Sequence, residues 1–279
     1  MVSGGGATMS ATVTRVRLGG VPVDLLGRSE AIDTISSRFE QSVGRPLGVA
    51  SINLDHVHYF GDAAPVGHAL HDGDAAPVEW LNLVDGAPLA AAARRITHRD
   101  WPRLAGSDLI DPLLDRAELA HSTVGFIGGT ATTHEHLARR LALTHPVLRL
   151  AGCWAPDRAE LVDDAVGRAI ADDIAAHEVG LLIVCLGKPR QELWIERYGA
   201  ATGSRVLLAF GAVVDFLAGR IGRAPRWVAD HGMEWAWRLA LEPRRLAHRY
   251  LVDGPPAYLA VRRSSGAPSG AGPERRAAG

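Results

Sequence analysis

Short apolar runs recur along the chain, separated by longer stretches in which apolar and polar positions mix with helical spacing. Leu47–Ile52, Leu81–Val84, Thr123–Ile127, Val147–Leu150, Val179–Leu186 and Val206–Phe210 are rich in branched residues and nearly free of charge. That is the pattern of strands buried on both faces of a parallel sheet. Helices are predicted over Ser29–Gln41 with Ser29 as N-cap, from Asp55 onward, through Arg94 and Arg95, and from Ser107 or Asp108 to Leu119. Further helices are predicted over Thr132–Leu143, Asp157–His177 and Pro189–Ile195. Val16–Leu26 reads as a strand pair turning at Gly19-Gly20. The alternation, with glycines at the junctions, predicts an α/β fold: a three-layer Rossmann-like sandwich around a mostly parallel sheet. No G-x-G-x-x-G stands in the chain, so classical dinucleotide binding is poorly supported.

The pattern divides the chain. Residues 1–12 are rich in Gly, Ser and Thr and read as disordered; 13–218 form the α/β core; 219–263 are a basic helical appendage; 264–279 read as a disordered tail. In the appendage, helices are predicted over Met233–Leu241 and Arg244–Val252, interrupted at Pro243.

Composition narrows the classes. A chain of 279 residues that is 47% hydrophobic buries a sizeable core. A net charge of −1 gives no general pull toward nucleic acid. Arginines nevertheless gather in the last third, at Arg220, Arg223, Arg226, Arg238, Arg244, Arg245 and Arg249. Cys153 and Cys185 are the only cysteines, and Cys185 falls in a core strand, which favours a buried reduced thiol. No C-x-x-C or H-x-x-x-H cluster suggests a metal, and no cofactor is implied. Neither a membrane span nor a secretory signal is evident, so the expected location is cytoplasmic, with attachment to a membrane surface left open.

Candidate chemistry collects where strands end. In Leu181–Glu196, a buried strand breaks at Gly187, and Pro189 suits the first turn of a helix bearing Gln191 and Glu192. Such a junction presents free N–H groups and a positive helix end at the sheet's carboxyl edge, where open α/β folds bind phosphorylated ligands. Lys188, the chain's only lysine, stands there. Ser51 and Asn53 end another strand; their side chains suit hydrogen bonding to a sugar or base, and equally suit capping the next helix. Asp85-Gly86 ends a third strand and has the composition of an ordinary turn.

These segments carry a resemblance. GKPRQELWI resembles the G-x-P-x-Q-E-x-W-I signature of the WecG/TagA/CpsF family of bacterial glycosyltransferases. Ser51-Ile52-Asn53 is similar to its T-x-N motif, with serine in place of threonine. Asp85-Gly86 is similar to its A-D-G-x-G motif, with Val84 in the alanine place and Ala87 or Pro88 where the second glycine would be. Arg103–Leu109 is similar to R-x-x-G-x-D-L, and EWAWRLALEPRRLAHRY to the E-W-x-x-R-L-x-x-E-P-x-R-x-x-R-Y ending.

The resemblance implies transfer of an N-acetylhexosamine-type sugar, commonly N-acetylmannosamine or its uronic acid, from a UDP donor to a polyprenyl-diphosphate-linked acceptor sugar. Cell-surface polysaccharide or teichoic acid synthesis is the implied setting. It implies Asp85 as catalytic base, and Ser51, Asn53, Arg103, Gln191, Arg238, Arg245 and Arg249 as substrate contacts. An acceptor hydroxyl needs a base in the transition state, and the leaving diphosphate needs positive charge, which Arg103 and the C-terminal arginines supply in place of a metal. A single inverting displacement is expected. The appendage arginines suit a diphosphate clamp and equally an anionic membrane surface. A different nucleotide-dependent enzyme on a Rossmann-like sheet and a non-catalytic membrane-surface adaptor are the competing readings. No nucleic-acid partner is expected, and self-association is left open.

Overall fold

The computed structural model describes residues 13–39, 44–62, 64, 66, 70–71, 73, 75–220, 234–241 and 243–266. Of the segments expected to be disordered, 1–12 lies outside the described residues, as does 264–279 except for 264–266; residues 221–233 also lie outside them. Eight strands form one sheet: β1 (Thr14–Leu18), β2 (Val21–Leu25), β3 (Leu47–Ile52), β4 (Glu79–Val84), β5 (Thr123–Ile127), β6 (Arg149–Trp154), β7 (Leu181–Val184) and β8 (Val206–Ala209). Their order is β1-β2-β4-β3-β8-β7-β5-β6. Among the described strand pairs, only the β1–β2 hairpin is antiparallel. The α/β sandwich expected from the pattern is therefore present.

Why the strands pack on both faces is legible in their register. Leu81, Val49, Leu208, Ile183 and Phe126 pair in one row across β4, β3, β8, β7 and β5. All five are buried and belong to one apolar cluster. Their sequence neighbours Ala50, Leu182, Leu207 and Ala209 belong to the cluster on the other face. Successive side chains of a strand point to opposite faces, so a run without polar positions is needed when both faces are covered.

On the face carrying Val49, helices α1 (Arg28–Ser36), α4 (Gly106–Leu119), α5 (Ala131–Thr144) and α8 (Val213–Leu217) contribute the buried apolar residues. The opposite face takes them from α2 (Leu54–Phe60), α3 (Ala87–Thr97), α6 (Asp164–Ala176) and α7 (Arg190–Tyr198). The appendage contains α9 (Glu234–Leu241), α10 (Pro243–His248), a π-helical turn (Arg249–Asp253) and α11 (Gly254–Arg263). Ala257 and Val261 of α11 are buried in the second cluster, and Gly266 bridges back to Arg17 on β1.

Several expected boundaries shift. Helix α1 is capped by Gly27, whose N–H donates to the Glu30 carboxylate at 3.2 Å, so Ser29 is not its N-cap. Helix α4 starts at Gly106 with Ala105 as N-cap, ahead of the expected Ser107 or Asp108. The long helix expected over Asp157–His177 begins only at Asp164, because the Asp163 side chain accepts from the Ala165 N–H at 2.8 Å and caps it there. Strand β6 runs to Trp154, past the expected Val147–Leu150, since Ile127 pairs with Trp154 beyond a bulge at Val124/Gly125. The helix expected to stop at Val252 continues through the π turn into α11, with the prolines of Gly254-Pro255-Pro256 in its first turn, where a missing N–H costs nothing.

Candidate active site

Strands β3 and β8 are neighbours in the sheet, yet their chain connections lead in opposite directions: β3 toward β4, and β8 back from β7. At such a switch the loops beyond the carboxyl ends part and leave a crevice. A cleft of about 590 Å³ occupies that place. Ser51 near the end of β3 and Asn53 just after it, Asp85 after β4, Gly187, Lys188 and Gln191 after β7, and Phe210 and Gly211 after β8 line it. Asp55, Tyr59, Arg158, Arg190, Asp215 and the appendage residues His248, Arg249 and Asp253 also line it.

Asp85 is fixed from both sides. Its backbone N–H donates to the Ile52 carbonyl at 2.8 Å, continuing the β3–β4 ladder by one residue. Its carboxylate Oδ2 accepts from Asn53 Nδ2 at 3.4 Å. Asn53 also caps α2, its Oδ1 accepting from the Asp55 N–H at 3.2 Å. Both the ligand-contact and the capping interpretation of Asn53 are thus compatible with one side chain: the oxygen caps and the amide N–H reaches Asp85.

Ser51 is 7% exposed, and its hydroxyl donates to the Leu104 carbonyl at 2.9 Å. The Leu104 N–H in turn donates to the Val84 carbonyl at 2.6 Å. Ser51 therefore ties the loop before α4 to the ends of β3 and β4. This docking brings Gly106 so close to β8 that a Cβ there would lie 2.5 Å from Phe210 Cγ. Glycine is required by that approach. Arg103, on the same loop, is half-buried but does not line the cleft.

Beneath the cleft runs a buried polar chain that the sequence did not reveal. The Asn53 N–H donates to His56 Nδ1 at 3.2 Å, which leaves the imidazole hydrogen on Nε2. Nε2 then donates to Glu192 Oε1 at 3.1 Å. Gln191 Nε2 donates to the same Oε1 at 2.7 Å and to the Ala209 carbonyl at 2.9 Å. His56, Gln191 and Glu192 are all 0% exposed. Burial, then the nearby positive Lys188, hold the His56 pKa below its ordinary value. Burial by itself would raise the Glu192 pKa, but the His56 hydrogen bond, the positive Lys188 and the Gln191 amide together hold it below normal. The pair is a neutral imidazole donating to a carboxylate. Gln191 Oε1 and Glu192 Oε2 are buried and, among the described residues, have no hydrogen-bond partner.

The appendage contributes Arg249, whose guanidinium lies 2.5 Å from the Asp55 carboxylate. Asp253 beside it accepts from His248 Nδ1 at 3.1 Å. Burial, with Asp55 and Asp253 nearby, pushes the Tyr59 phenol up. The side chains of Arg238 and Arg245 lie outside the described residues. Of the expected site residues, the structure therefore gathers Ser51, Asn53, Asp85, Gln191 and Arg249 on one cleft. Asp55, His56 and Glu192 carry no local signal in the sequence, because each pairs with a residue distant in sequence.

The free cysteines carry no such role: burial pushes the Cys153 thiol up to about 11 and the Cys185 thiol up to about 12. Among the described residues no helix is long and apolar enough to cross a membrane.

Comparison with known proteins places the chain in a family. Two relatives, from Bacillus spizizenii (strain ATCC 23059 / NRRL B-14472 / W23) and Bacillus subtilis (strain 168), each bear the name N-acetylglucosaminyldiphosphoundecaprenol N-acetyl-beta-D-mannosaminyltransferase. They are 29% and 28% identical over 166 residues, 58% of this chain and 61% of theirs. The matched region thus spans about three fifths of the relatives' length. A profile of the glycosyl transferase WecG/TagA/CpsF family matches residues 16–269, nearly the whole chain, and includes every cleft-lining residue. The chain belongs to that glycosyltransferase family.

Proposed function

We propose that this chain transfers an N-acetylmannosamine-type sugar from a UDP donor to an N-acetylglucosamine carried on a polyprenyl diphosphate. The relatives' names support the sugar and the acceptor. The observation that carries the reading is the placement of Asp85. Its carboxylate lines the cleft, held by Asn53 and the β3–β4 ladder, in the same cavity as the cationic Lys188, Arg190 and Arg249.

In this reading the acceptor hydroxyl attacks the anomeric carbon while Asp85 takes its proton. The bond from that carbon to the diphosphate breaks, and the electron pair leaves on UDP. One displacement inverts the anomeric centre. The positive groups on the cleft meet the charge that develops on the leaving oxygen, and they are worth most where water is excluded.

A lipid-linked acceptor requires the cleft to meet a membrane surface. Leu251, Val252 and Leu259 are 63%, 54% and 46% exposed on the π turn and α11, close in sequence to Arg262 and Arg263. An apolar face flanked by arginines suits the interface of an anionic bilayer. The deciding experiment is UDP release with a panel of UDP-sugars and a short-chain polyprenyl-diphosphate N-acetylglucosamine. Release only when UDP-N-acetylmannosamine and the lipid acceptor are both present is the expected result; no release with any pair would sink the reading.

A further inference from the structure

Lys188 lines the cleft between Gly187 and the start of α7, and it is half-buried. Three acids face it: Asp55 on α2, Asp85 after β4 and Glu192 on α7. Each already has a partner of its own. Asp55 holds Arg249 at 2.5 Å, Asp85 accepts from Asn53 at 3.4 Å, and Glu192 accepts from His56 at 3.1 Å and Gln191 at 2.7 Å. Among the described residues no hydrogen bond or ion pair holds the Lys188 ammonium. The neighbouring cations differ. Arg249 is bound to Asp55, Arg190 gives its Nε and one Nη to the Leu186 carbonyl at 3.1 and 3.0 Å, and Arg158 is exposed.

We propose that Lys188 is a second catalytic residue, the ammonium that binds the diphosphate of the donor and follows it as it leaves. This rests on the reading that the donor is a UDP-sugar. As the bond from the anomeric carbon to the phosphate oxygen breaks, its electron pair goes to the diphosphate. The acceptor proton goes to Asp85, and Lys188 keeps its three hydrogens while donating to the oxygens that gain charge. A partly desolvated ammonium with no partner is costly, and a doubly charged ligand removes that cost while gaining charge-assisted hydrogen bonds. The sequence lends the position weight, since this is the chain's only lysine in a background of arginine.

The surroundings also set a pH signature. Burial, then the adjacent Arg249, push the Lys188 pKa down to about 8, against the opposing pull of Asp55, Glu192 and Asp85. The other titratable groups near it are His56 beneath the cleft and, on the cleft lining, Tyr59, Arg158, Arg190, Asp215, His248 and Asp253. His56 is held neutral and the Tyr59 phenol is pushed up, so neither changes charge between pH 7 and 9. The free protein therefore loses the positive charge of Lys188 as pH rises through about 8.

The test compares wild type, Lys188→Met and Lys188→Arg by calorimetric titration with UDP and with inorganic diphosphate at pH 7 and pH 9. At pH 7 Lys188→Met is expected to bind both probes about 10- to 100-fold more weakly than wild type, the range of a charged hydrogen bond. Wild type should weaken about 10-fold from pH 7 to pH 9, while Lys188→Arg, which does not titrate in that range, should hold its affinity. Thermal melts of the variants verify that each is folded. Equal affinity of wild type and Lys188→Met for both probes overturns the proposal while leaving the UDP-sugar reading intact. A wild type that binds neither probe overturns both.

Discussion

Asp55 and Arg249 meet at 2.5 Å on the wall of the cleft, although nearly the whole α/β core separates them in sequence. Asp55 stands in the first turn of α2 just after β3, and Arg249 opens the π turn of the appendage. Side-chain exposures of 10% for Asp55 and 27% for Arg249 take the pair out of the class of screened surface ion pairs. Replacing Arg249 with Ala leaves Asp55 nearly buried and without its cation. A stability loss of about 1–3 kcal/mol is expected, discounted from the fully buried case because Arg249 is partly exposed. The check is a double-mutant cycle with Asp55→Asn by urea denaturation, where a coupling near zero would show that the pair does not fasten the appendage.

Asp85→Asn keeps the shape of the junction and can still hydrogen-bond with Asn53, but it cannot take a proton. UDP release is expected to fall about 100- to 10,000-fold, the usual weight of a general base. UDP affinity should stay within about threefold of wild type. Wild-type turnover in this variant would remove Asp85 from the chemistry.

His56 gives a pH-dependent stability of defined sign. Its pKa is lower in the folded chain than in the unfolded one, because burial opposes the charged ring. The unfolded state therefore binds the extra proton. Stability is fully present above the unfolded value of about 6.5 and is lost as pH falls toward the folded pKa. Melting temperature should drop more steeply between pH 7 and 5 in wild type than in His56→Gln. Parallel slopes for the two proteins would contradict the assignment.

Gly106→Ala adds a methyl where Phe210 Cγ stands 2.5 Å away. Either α4 or the end of β8 must shift, at a cost of about 1–3 kcal/mol by the measure of overpacked cores. Urea midpoints measure the loss. Because Ser51, Leu104 and Phe210 share that joint, donor affinity should fall with it.

Leu251→Glu combined with Leu259→Glu places charge on two exposed apolar positions outside the core. Flotation with vesicles rich in anionic lipid should fall at least several-fold, whereas turnover of a short-chain acceptor in detergent should persist. Unchanged flotation would detach this face from the membrane.

Much of this site follows from strand ends alone. Ser51, Asn53, Asp85 and Gln191 each stand within a few residues of a glycine-marked or polar break in an apolar run. In a parallel sheet all such breaks fall on one edge, so their convergence is a property of the topology. Arg103 shows the limit of that logic. It precedes α4 on the cleft's own loop, but the loop is fixed through the buried Leu104 and its main-chain bonds to Val84 and Ser51, and the arginine does not reach the cavity. His56 bonds Glu192 across 136 residues, a pairing that no local period encodes. Helix ends depart from the hydrophobic pattern where a cap decides them, as at Gly27 and Asp163, because a cap depends on backbone angles.

Gln191 carries one more implication. Both hydrogens of its amide are committed, one to Glu192 and one to Ala209, and flipping the group would set its oxygen against those two acceptors. Its oxygen is left on the side of Gly211, where a methyl would stand only 2.7 Å from it. That oxygen is itself buried, so its polarity is directed at the backbone of residue 211 rather than at solvent. Any side chain at position 211 would press onto a lone pair that cannot turn away, which reserves this point of the junction for glycine.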